Sequence, residues 1–146
     1  MTAIALQEEV LSTAPSGKQH SAVPRGSETV LVVEDDPAVR RVACEILRSL
    51  GYNVLEAGCP KKARELIELH ASGIRGVLTD IVMPGGGGRE LAQDLVDSHP
   101  GLKVVIMSGY DESSQPDRSS SPAFPFLHKP FTPRALAEKM REVLDR

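Results

Sequence analysis

Short runs of apolar residues alternate along the chain with longer segments in which apolar positions recur every three or four residues. Such runs predict strands that are covered on both faces, and the longer segments predict amphipathic helices. From Glu28 onward the alternation occurs five times, which predicts an α/β domain built on a parallel sheet. The predicted strands are 29–33, 52–56, 76–79, 102–107 and 124–128.

Two of the predicted helices begin at a clear signal. Asp36-Pro37 and Thr132-Pro133 each combine a capping side chain with a proline at the first helical position, where its missing N–H costs nothing. Apolar side chains at helical spacing then predict the stripes that face the core. They are Val39, Val42, Ala43, Ile46, Leu47 and Leu50; Ala63, Leu66, Ile67 and Leu69; Leu91, Leu95 and Val96; and Leu136, Met140, Val143 and Leu144.

Two segments lack this patterning. Residues 1–27 end in a Ser/Pro/Gly-rich stretch that predicts a flexible tail or linker, which leaves 28–146 as one domain. The tail contains V-P-R-G-S at 23–27, which resembles a thrombin cleavage site. Residues 111–122 contain an internal proline and no apolar residue, so the fourth helix of the domain is predicted to be short or missing.

Composition excludes several classes of partner. The chain has 146 residues, a net charge of -3 and 3% aromatic residues, so neither a basic field nor a stacking platform for nucleic acid is expected. No apolar run is long enough to span a membrane, and no membrane contact is expected. The two cysteines, Cys44 and Cys59, are too few for a disulfide framework and indicate a reducing, cytoplasmic location. Both are expected to be buried or half-buried.

The chemistry is expected where the strands end, because ligands of open parallel sheets bind beyond the carboxyl ends of the strands. Glu34 and Asp35 follow the first strand, Asp80 the third, Ser108 the fourth and Lys129 the fifth. Three carboxylates and one lysine require a cation, and oxygen-only ligands favour Mg²⁺, with Mn²⁺ as an alternative. A carboxylate such as that of Asp80 can also attack phosphorus to form an acyl phosphate.

Other motifs have simpler explanations. Asp36 is interpreted as a helix cap rather than a third ligand beside Glu34 and Asp35. The glycines at 85–88 lack the Gly-Lys-Ser/Thr of a phosphate-binding loop and predict a mobile loop beside Asp80. No G-x-S-x-G pattern surrounds Ser108, so hydrolysis by a catalytic triad is not expected.

Four motifs together resemble the receiver domain of two-component response regulators. They are E-D at 34–35, T-D-I-V-M-P at 79–84, M-S-G at 107–109 and H-K-P-F at 128–131, and the resemblance extends from about Glu28 to Arg146. It implies a flavodoxin-like, doubly wound sheet of five strands in the order 2-1-3-4-5, the order that is also known for a chemotaxis receiver. It also implies a cis bond between Lys129 and Pro130.

The resemblance implies a role for each site residue. Asp80 would be the phospho-acceptor, and Mg²⁺ would be bound by Asp35, Asp80 and the backbone carbonyl of Val82, with Glu34 assisting through water. The remaining implied residues are Ser108 and Lys129, which would hold the phosphoryl group, and the aromatic switch residue Phe126, which would turn inward when the Ser108 hydroxyl moves.

Three functions are compared on this basis. The first is a receiver that takes a phosphoryl group from a histidine kinase or a histidine phosphotransfer protein and switches conformation. Such a receiver would be a signalling domain rather than an enzyme, with slow autodephosphorylation at most. It would be a monomer or weak dimer. It would be the C-terminal receiver of a hybrid histidine kinase or a stand-alone regulator.

The second function is that of a haloacid-dehalogenase-type hydrolase, which would need a second aspartate where Val82 stands. The third function is a pseudo-receiver that regulates a partner kinase without phosphorylation, and the Ser/Pro-rich segment would favour such a changed output.

Overall fold

The fold is a parallel sheet covered by helices on both faces. A computed structural model of the chain describes residues 22–83, 87–109 and 124–146. Five parallel strands form one sheet in the order β2-β1-β3-β4-β5, which confirms the predicted fold class. The elements in chain order are β1 (Thr29–Val33), α1 (Pro37–Ser49), β2 (Asn53–Ala57), α2 (Pro60–Leu69), β3 (Ile74–Asp80), α3 (Gly88–Ser98), β4 (Lys103–Ser108), β5 (Phe126–His128) and α4 (Pro133–Leu144).

Several predictions fall on residues outside the described ranges. These are the short or missing helix at 111–122, the first 21 residues of the predicted tail, and the mobile loop at 85 and 86. The division of the chain into a tail at 1–27 and a domain at 28–146 stays a prediction.

Strand boundaries differ slightly from those expected. Tyr52 precedes β2, because its N–H donates to the Leu47 carbonyl at the end of α1 and not to a neighbouring strand (3.2 Å). The strand β3 begins at Ile74, and it includes Asp80 as its last residue. The strand β5 has only three residues, since its ladder with β4 begins at Phe126.

Each face of the sheet supports its own hydrophobic layer. Alternate residues of a strand point to opposite faces, so Val30 and Val32 of β1 pack on one side while Leu31 and Val33 pack on the other. The helices α1 and α4 cover the first face, and α2 and α3 cover the second. The two clusters share no residue, and the sheet therefore lies between two hydrophobic layers in the middle of the domain.

The predicted caps are confirmed. The Asp36 carboxylate accepts hydrogen bonds from the N–H groups of Ala38 (2.9 Å) and Val39 (3.4 Å), which accounts for this residue as a cap. Thr132 Oγ1 accepts from the Ala135 N–H (3.0 Å) at the start of α4. Both helices therefore begin where the sequence signals place them.

Two residues predicted to face the core are largely exposed, and the prediction was wrong for them. Leu69 is 75% exposed because it lies two residues beyond the buried Ile67, about 200° further around the helix. Val42 is 52% exposed because it precedes the buried pair Ala43 and Cys44 and falls outside the stripe that they define. Helical spacing alone did not identify the edge of either stripe.

The chain just before Glu28 already contacts the domain. The Gly26 N–H donates to the Leu50 carbonyl at the end of α1 (3.0 Å). Arg141 of α4 donates from Nη1 to the Arg25 carbonyl (3.1 Å) and forms an ion pair with Glu28 (2.6 Å). These contacts fix the path by which the chain enters β1.

Candidate functional site

Three carboxylates meet at the carboxyl edge of the sheet. Glu34 and Asp35 follow β1 directly, and Asp80 ends the neighbouring strand β3. One carboxylate oxygen from each of the three lies within 4.8 Å of the others. Glu34 and Asp80 are 1% and 7% exposed, whereas Asp35 is open to solvent. The cluster, called the acidic pocket below, therefore consists of two buried carboxylates and one exposed carboxylate.

Lys129 neutralises part of this charge. Its Nζ atom lies 3.2 Å from Glu34 Oε1 and 3.4 Å from Asp80 Oδ2. Its backbone N–H donates to the Ser108 carbonyl (2.8 Å), which holds the start of the loop after β5 against the end of β4. The ammonium group thus reaches across β4 to the two buried carboxylates.

The buried charges perturb one another. Burial raises the pKa of the Glu34 carboxyl to about 7, and the nearby charge of Asp80 acts in the same direction. The Asp36 N–H and the Lys129 ammonium oppose this rise only in part. For Lys129, burial by itself lowers the pKa, but the charges of Asp80 and Glu34 outweigh burial and raise the pKa above its usual range.

The donor set fits a hard divalent cation. Three carboxylates and one ammonium leave an excess of negative charge, and all the available ligand atoms are oxygens. Asp35 and Asp80 could bind the ion directly, and Glu34 could bind a water of its shell because Lys129 already occupies one of its oxygens. Participation of the Val82 carbonyl stays a prediction.

Ser108 and Phe126 lie close to the acidic cluster along the strands. The Ser108 side chain is fully buried, and its hydroxyl donates to the Gly109 carbonyl (3.2 Å) rather than to a group of the cluster. In the β4–β5 ladder Ser108 pairs with His128 and Ile106 pairs with Phe126, so Phe126 lies two residues before the level of Ser108. Its half-buried ring packs edge-on against His128, with centroids 4.8 Å apart.

Gly88 lies close to the backbone of Asp80, and sequence reasoning missed this. A Cβ atom at Gly88 would overlap the Asp80 backbone carbonyl, and the Gly88 N–H donates to the Ile81 carbonyl (2.9 Å). The run of four glycines suggested only a mobile loop. Gly88 instead begins α3 and brings this helix close to the end of β3.

Arg40 is a second residue that the sequence did not single out. Its Nη1 donates to the Glu34 backbone carbonyl (2.7 Å), and its Nε forms an ion pair with Glu56 of β2 (3.3 Å). In the sequence Arg40 is one of several basic residues on an amphipathic helix, and no motif distinguishes it. Only the meeting of α1 with the ends of β1 and β2 makes it part of the site.

The remaining sequence predictions concern one peptide bond and the two cysteines. The bond between Lys129 and Pro130 is cis, as the resemblance implied. Cys44 is buried and free, and burial raises the pKa of its thiol to about 11. Cys59 is also free but exposed, so its predicted burial was wrong; it precedes Pro60 at the start of α2, beyond the cover of the core.

Fold and site together define a flavodoxin-like domain with an acidic pocket at the carboxyl edge of its sheet. The sequence profile described as "Response regulator receiver domain" matches residues 30–141, and the chain belongs to this family. The chain is 35% identical over 147 residues to the sensor kinase CckA of Brucella abortus (strain 2308), covering 97% of this chain and 16% of the kinase. It is 31% identical over 116 residues to the response regulator receiver protein CpdR of the same organism, covering 79% of this chain and 95% of that protein.

A solved structure shows the same likeness. The receiver domain of a hybrid histidine kinase CckA is 31% identical to this chain, with a TM-score of 0.63 over 80% of this chain and 98% of that domain. The chain thus resembles complete receiver proteins as well as the receiver part of a much longer kinase. Within the described ranges, no helix is both long and apolar enough to cross a membrane.

Proposed function

We propose that the domain accepts a phosphoryl group on Asp80 and passes the signal on by a change of conformation. The observation that carries this proposal is the contact of Lys129 Nζ with Asp80 Oδ2 (3.4 Å) inside a cluster of three carboxylates. A nucleophilic carboxylate with an adjacent fixed ammonium and a cation-binding set of oxygens is suited to phosphoryl transfer, in which catalysis consists mainly of positioning and charge neutralisation.

The donor in this proposal is a phosphohistidine. A carboxylate oxygen of Asp80 attacks phosphorus, the bond between phosphorus and the imidazole nitrogen breaks, and that nitrogen retains the electron pair. The product is an acyl phosphate on Asp80 and a free histidine on the donor. Hydrolysis of the acyl phosphate by water is slow in comparison, and the domain is a signalling module rather than an enzyme acting on other substrates.

The site residues divide the work of holding the phosphoryl group. Mg²⁺, or Mn²⁺ in its place, would be held by Asp35, Asp80 and the Val82 carbonyl and would neutralise the charge of the phosphoryl oxygens. Lys129, whose Nζ lies 3.4 Å from Asp80 Oδ2, supplies a fixed positive charge beside the acceptor. The Ser108 hydroxyl would leave its bond to the Gly109 carbonyl and donate to a phosphoryl oxygen, and the ring of Phe126 would turn inward when the hydroxyl moves.

The partner in this proposal is a histidine kinase or a histidine phosphotransfer protein. The likeness to both a sensor kinase and a stand-alone receiver protein supports this class of partner. The chain spans only 16% of the length of the sensor kinase, so a hybrid-kinase context is itself part of the proposal. Because Cys44 and Cys59 are free thiols, the phosphoryl transfer is placed in the reducing cytoplasm. The domain acts in this proposal as a monomer or weak dimer.

The experiment that tests the proposal is intact mass spectrometry after incubation with acetyl phosphate and Mg²⁺. We expect the wild type to gain one phosphoryl group, EDTA to prevent this gain, and Asp80→Asn to show none. Asp97→Asn is the matched control, because Asp97 lies in α3 with its carboxylate bonded to Gln93, and it should be labelled like the wild type.

Two outcomes would contradict the proposal. Labelling of Asp80→Asn at the wild-type level would show that a residue other than Asp80 is the phospho-acceptor. A wild type that is silent both to acetyl phosphate and to beryllofluoride, which mimics the phosphoryl group, would instead favour a pseudo-receiver that regulates a kinase without phosphorylation.

A further inference from the structure

We propose that Arg40 is a positioning residue of the acidic pocket, which fixes the backbone at Glu34 so that the Asp35 carboxylate faces Asp80. The inference rests on the proposed function, because the geometry that it explains is that of the phosphoryl-acceptor site. Arg40 lies on α1 and supplies no ligand atom to the cluster of three carboxylates.

The Glu34 backbone leaves the sheet at this point. Its N–H still donates to the Ala57 carbonyl of β2 (3.0 Å), but β1 has ended one residue earlier, at Val33. The Glu34 carbonyl accepts the short, charge-assisted bond from Arg40 Nη1 (2.7 Å). Because a buried carbonyl without a partner is costly, this bond determines the orientation of the peptide that joins Glu34 to Asp35.

The guanidinium group of Arg40 is itself held in place. Its Nε lies 3.3 Å from Glu56 Oε1, and the Arg40 side chain is only 23% exposed. A Cβ atom at Gly58 would come within 3.2 Å of Arg40 Nη1, so the absence of a side chain at Gly58 leaves room for the guanidinium. The planar guanidinium group thus bonds to residues at the ends of both β1 and β2, an arrangement that a lysine side chain cannot reproduce.

The fixed peptide between Glu34 and Asp35 controls the direction of the Asp35 carboxylate. The Glu34 side chain is already bound at both oxygens, by the Asp36 N–H (3.1 Å) and by Lys129 Nζ (3.2 Å). Asp35 has no such bonds among the described contacts, and its exposed carboxylate is directed only by the backbone that carries it. Replacing a residue that orients a metal ligand without binding the metal itself typically lowers metal affinity by about 10- to 100-fold.

The test measures the binding of Mg²⁺ alone, from the shifts of amide NMR signals during titration with MgCl₂. We expect Arg40→Ala to raise the dissociation constant by about 10-fold, the lower end of that range. Arg48→Ala is the matched control: Arg48 also pairs with Glu56 (3.2 Å) but makes no contact with Glu34, and its Mg²⁺ affinity should equal that of the wild type.

A second readout separates positioning from a general loss of structure. With acetyl phosphate as donor, Arg40→Ala should need about 10-fold more Mg²⁺ for half-maximal labelling but should reach the wild-type rate at saturating Mg²⁺. If Arg40→Ala does not fold, Arg40→Lys and Arg48→Lys form the substitute pair, since both keep the charge and only the first disturbs the bond to Glu34.

The outcomes are distinct. An unchanged Mg²⁺ affinity in the Arg40 variant, or an equal weakening in the Arg48 control, would overturn the inference, because the second result would trace the effect to Glu56. A wild type that shows no response to Mg²⁺ would overturn the proposed function itself, and the role of Arg40 with it, before any variant is compared.

Discussion

Lys129 and Glu34 are 95 residues apart in the chain, yet Lys129 Nζ donates a hydrogen bond to Glu34 Oε1 at 3.2 Å in the interior of the site. The same ammonium lies 3.4 Å from Asp80 Oδ2. One positive charge is thus shared by two carboxylates that are almost completely buried. This sharing allows both acidic groups to remain together at the sheet edge before any cation is bound.

Lys129→Ala should slow the labelling of Asp80 by acetyl phosphate by about 100-fold, the effect typical of losing one charged group that stabilises a transition state. Labelling should not be abolished, since the acceptor and the cation ligands remain. The beryllofluoride-induced changes in the NMR signals of β5 should also be lost. Lys139→Ala, which removes a lysine paired with Glu142 on α4, should be labelled at the wild-type rate. If Lys129→Ala were also labelled at the wild-type rate, the Lys129 ammonium group would not assist the transfer.

The raised pKa of Glu34 predicts a specific pH dependence of stability without metal. The ordinary carboxyl pKa is 4.5 and that of Glu34 in the fold is about 7, so between these values the folded state binds more protons than the unfolded state. The contribution of Glu34 to the free energy of unfolding is therefore greatest below about pH 4.5 and falls as the pH rises to about 7.

Urea unfolding of metal-free wild type and Glu34→Gln between these two pH values tests this prediction. The neutral amide cannot ionise, so the stability of the variant relative to the wild type should increase with pH. A difference between the two proteins that stays constant across the range would show that the pKa of Glu34 is not raised.

Arg141→Gln should expose the chain segment before β1. The wild-type Arg25–Gly26 bond is engaged on both sides, by Arg141 at the Arg25 carbonyl and by the Leu50 carbonyl at the Gly26 N–H. The V-P-R-G-S motif allows thrombin to report on this engagement. Loss of charged hydrogen bonds worth about 1.5–3 kcal/mol should accelerate cleavage by at least about 10-fold.

The matched control for this cleavage is Arg146→Gln, because Arg146 pairs with Glu142, close to the end of α4 and away from the segment before β1. Its cleavage rate should equal that of the wild type. Equal cleavage rates in the wild type and the Arg141 variant would mean that the contacts of Arg141 do not hold this segment against the domain.

Gly88→Ala should destabilise the fold, because the added methyl group overlaps the Asp80 carbonyl and the backbone must move. We expect a loss of about 1–3 kcal/mol in the free energy of unfolding, together with slower labelling of Asp80. Gly101→Ala is the control: a Cβ atom there meets nothing within 4 Å, and its stability should change by less than about 0.5 kcal/mol. Equal stabilities for the two variants in chemical denaturation would contradict the close approach of Gly88 to Asp80.

Sequence patterning was sufficient for the parallel sheet and the edge at which its polar residues meet. Buried strands and amphipathic helices have different periods, and Asp36 and Thr132 cap their helices through local hydrogen bonds. Parallel strands all end at one edge, so the order of residues in the chain already brought Glu34, Asp80 and Lys129 together. The strand order 2-1-3-4-5 and the identity of the domain as a receiver came from the motifs as a set.

Tertiary structure decided what depends on distance between residues remote in the chain. The bond from Arg40 to the Glu34 carbonyl, the close approach of Gly88 to Asp80 and the exposure of Leu69 leave no periodic signal, because each depends on how neighbouring elements pack. The raised pKa of Glu34 depends likewise on burial beside Asp80. Patterning records which face of an element avoids water, whereas contacts and charge interactions are fixed only when the elements meet.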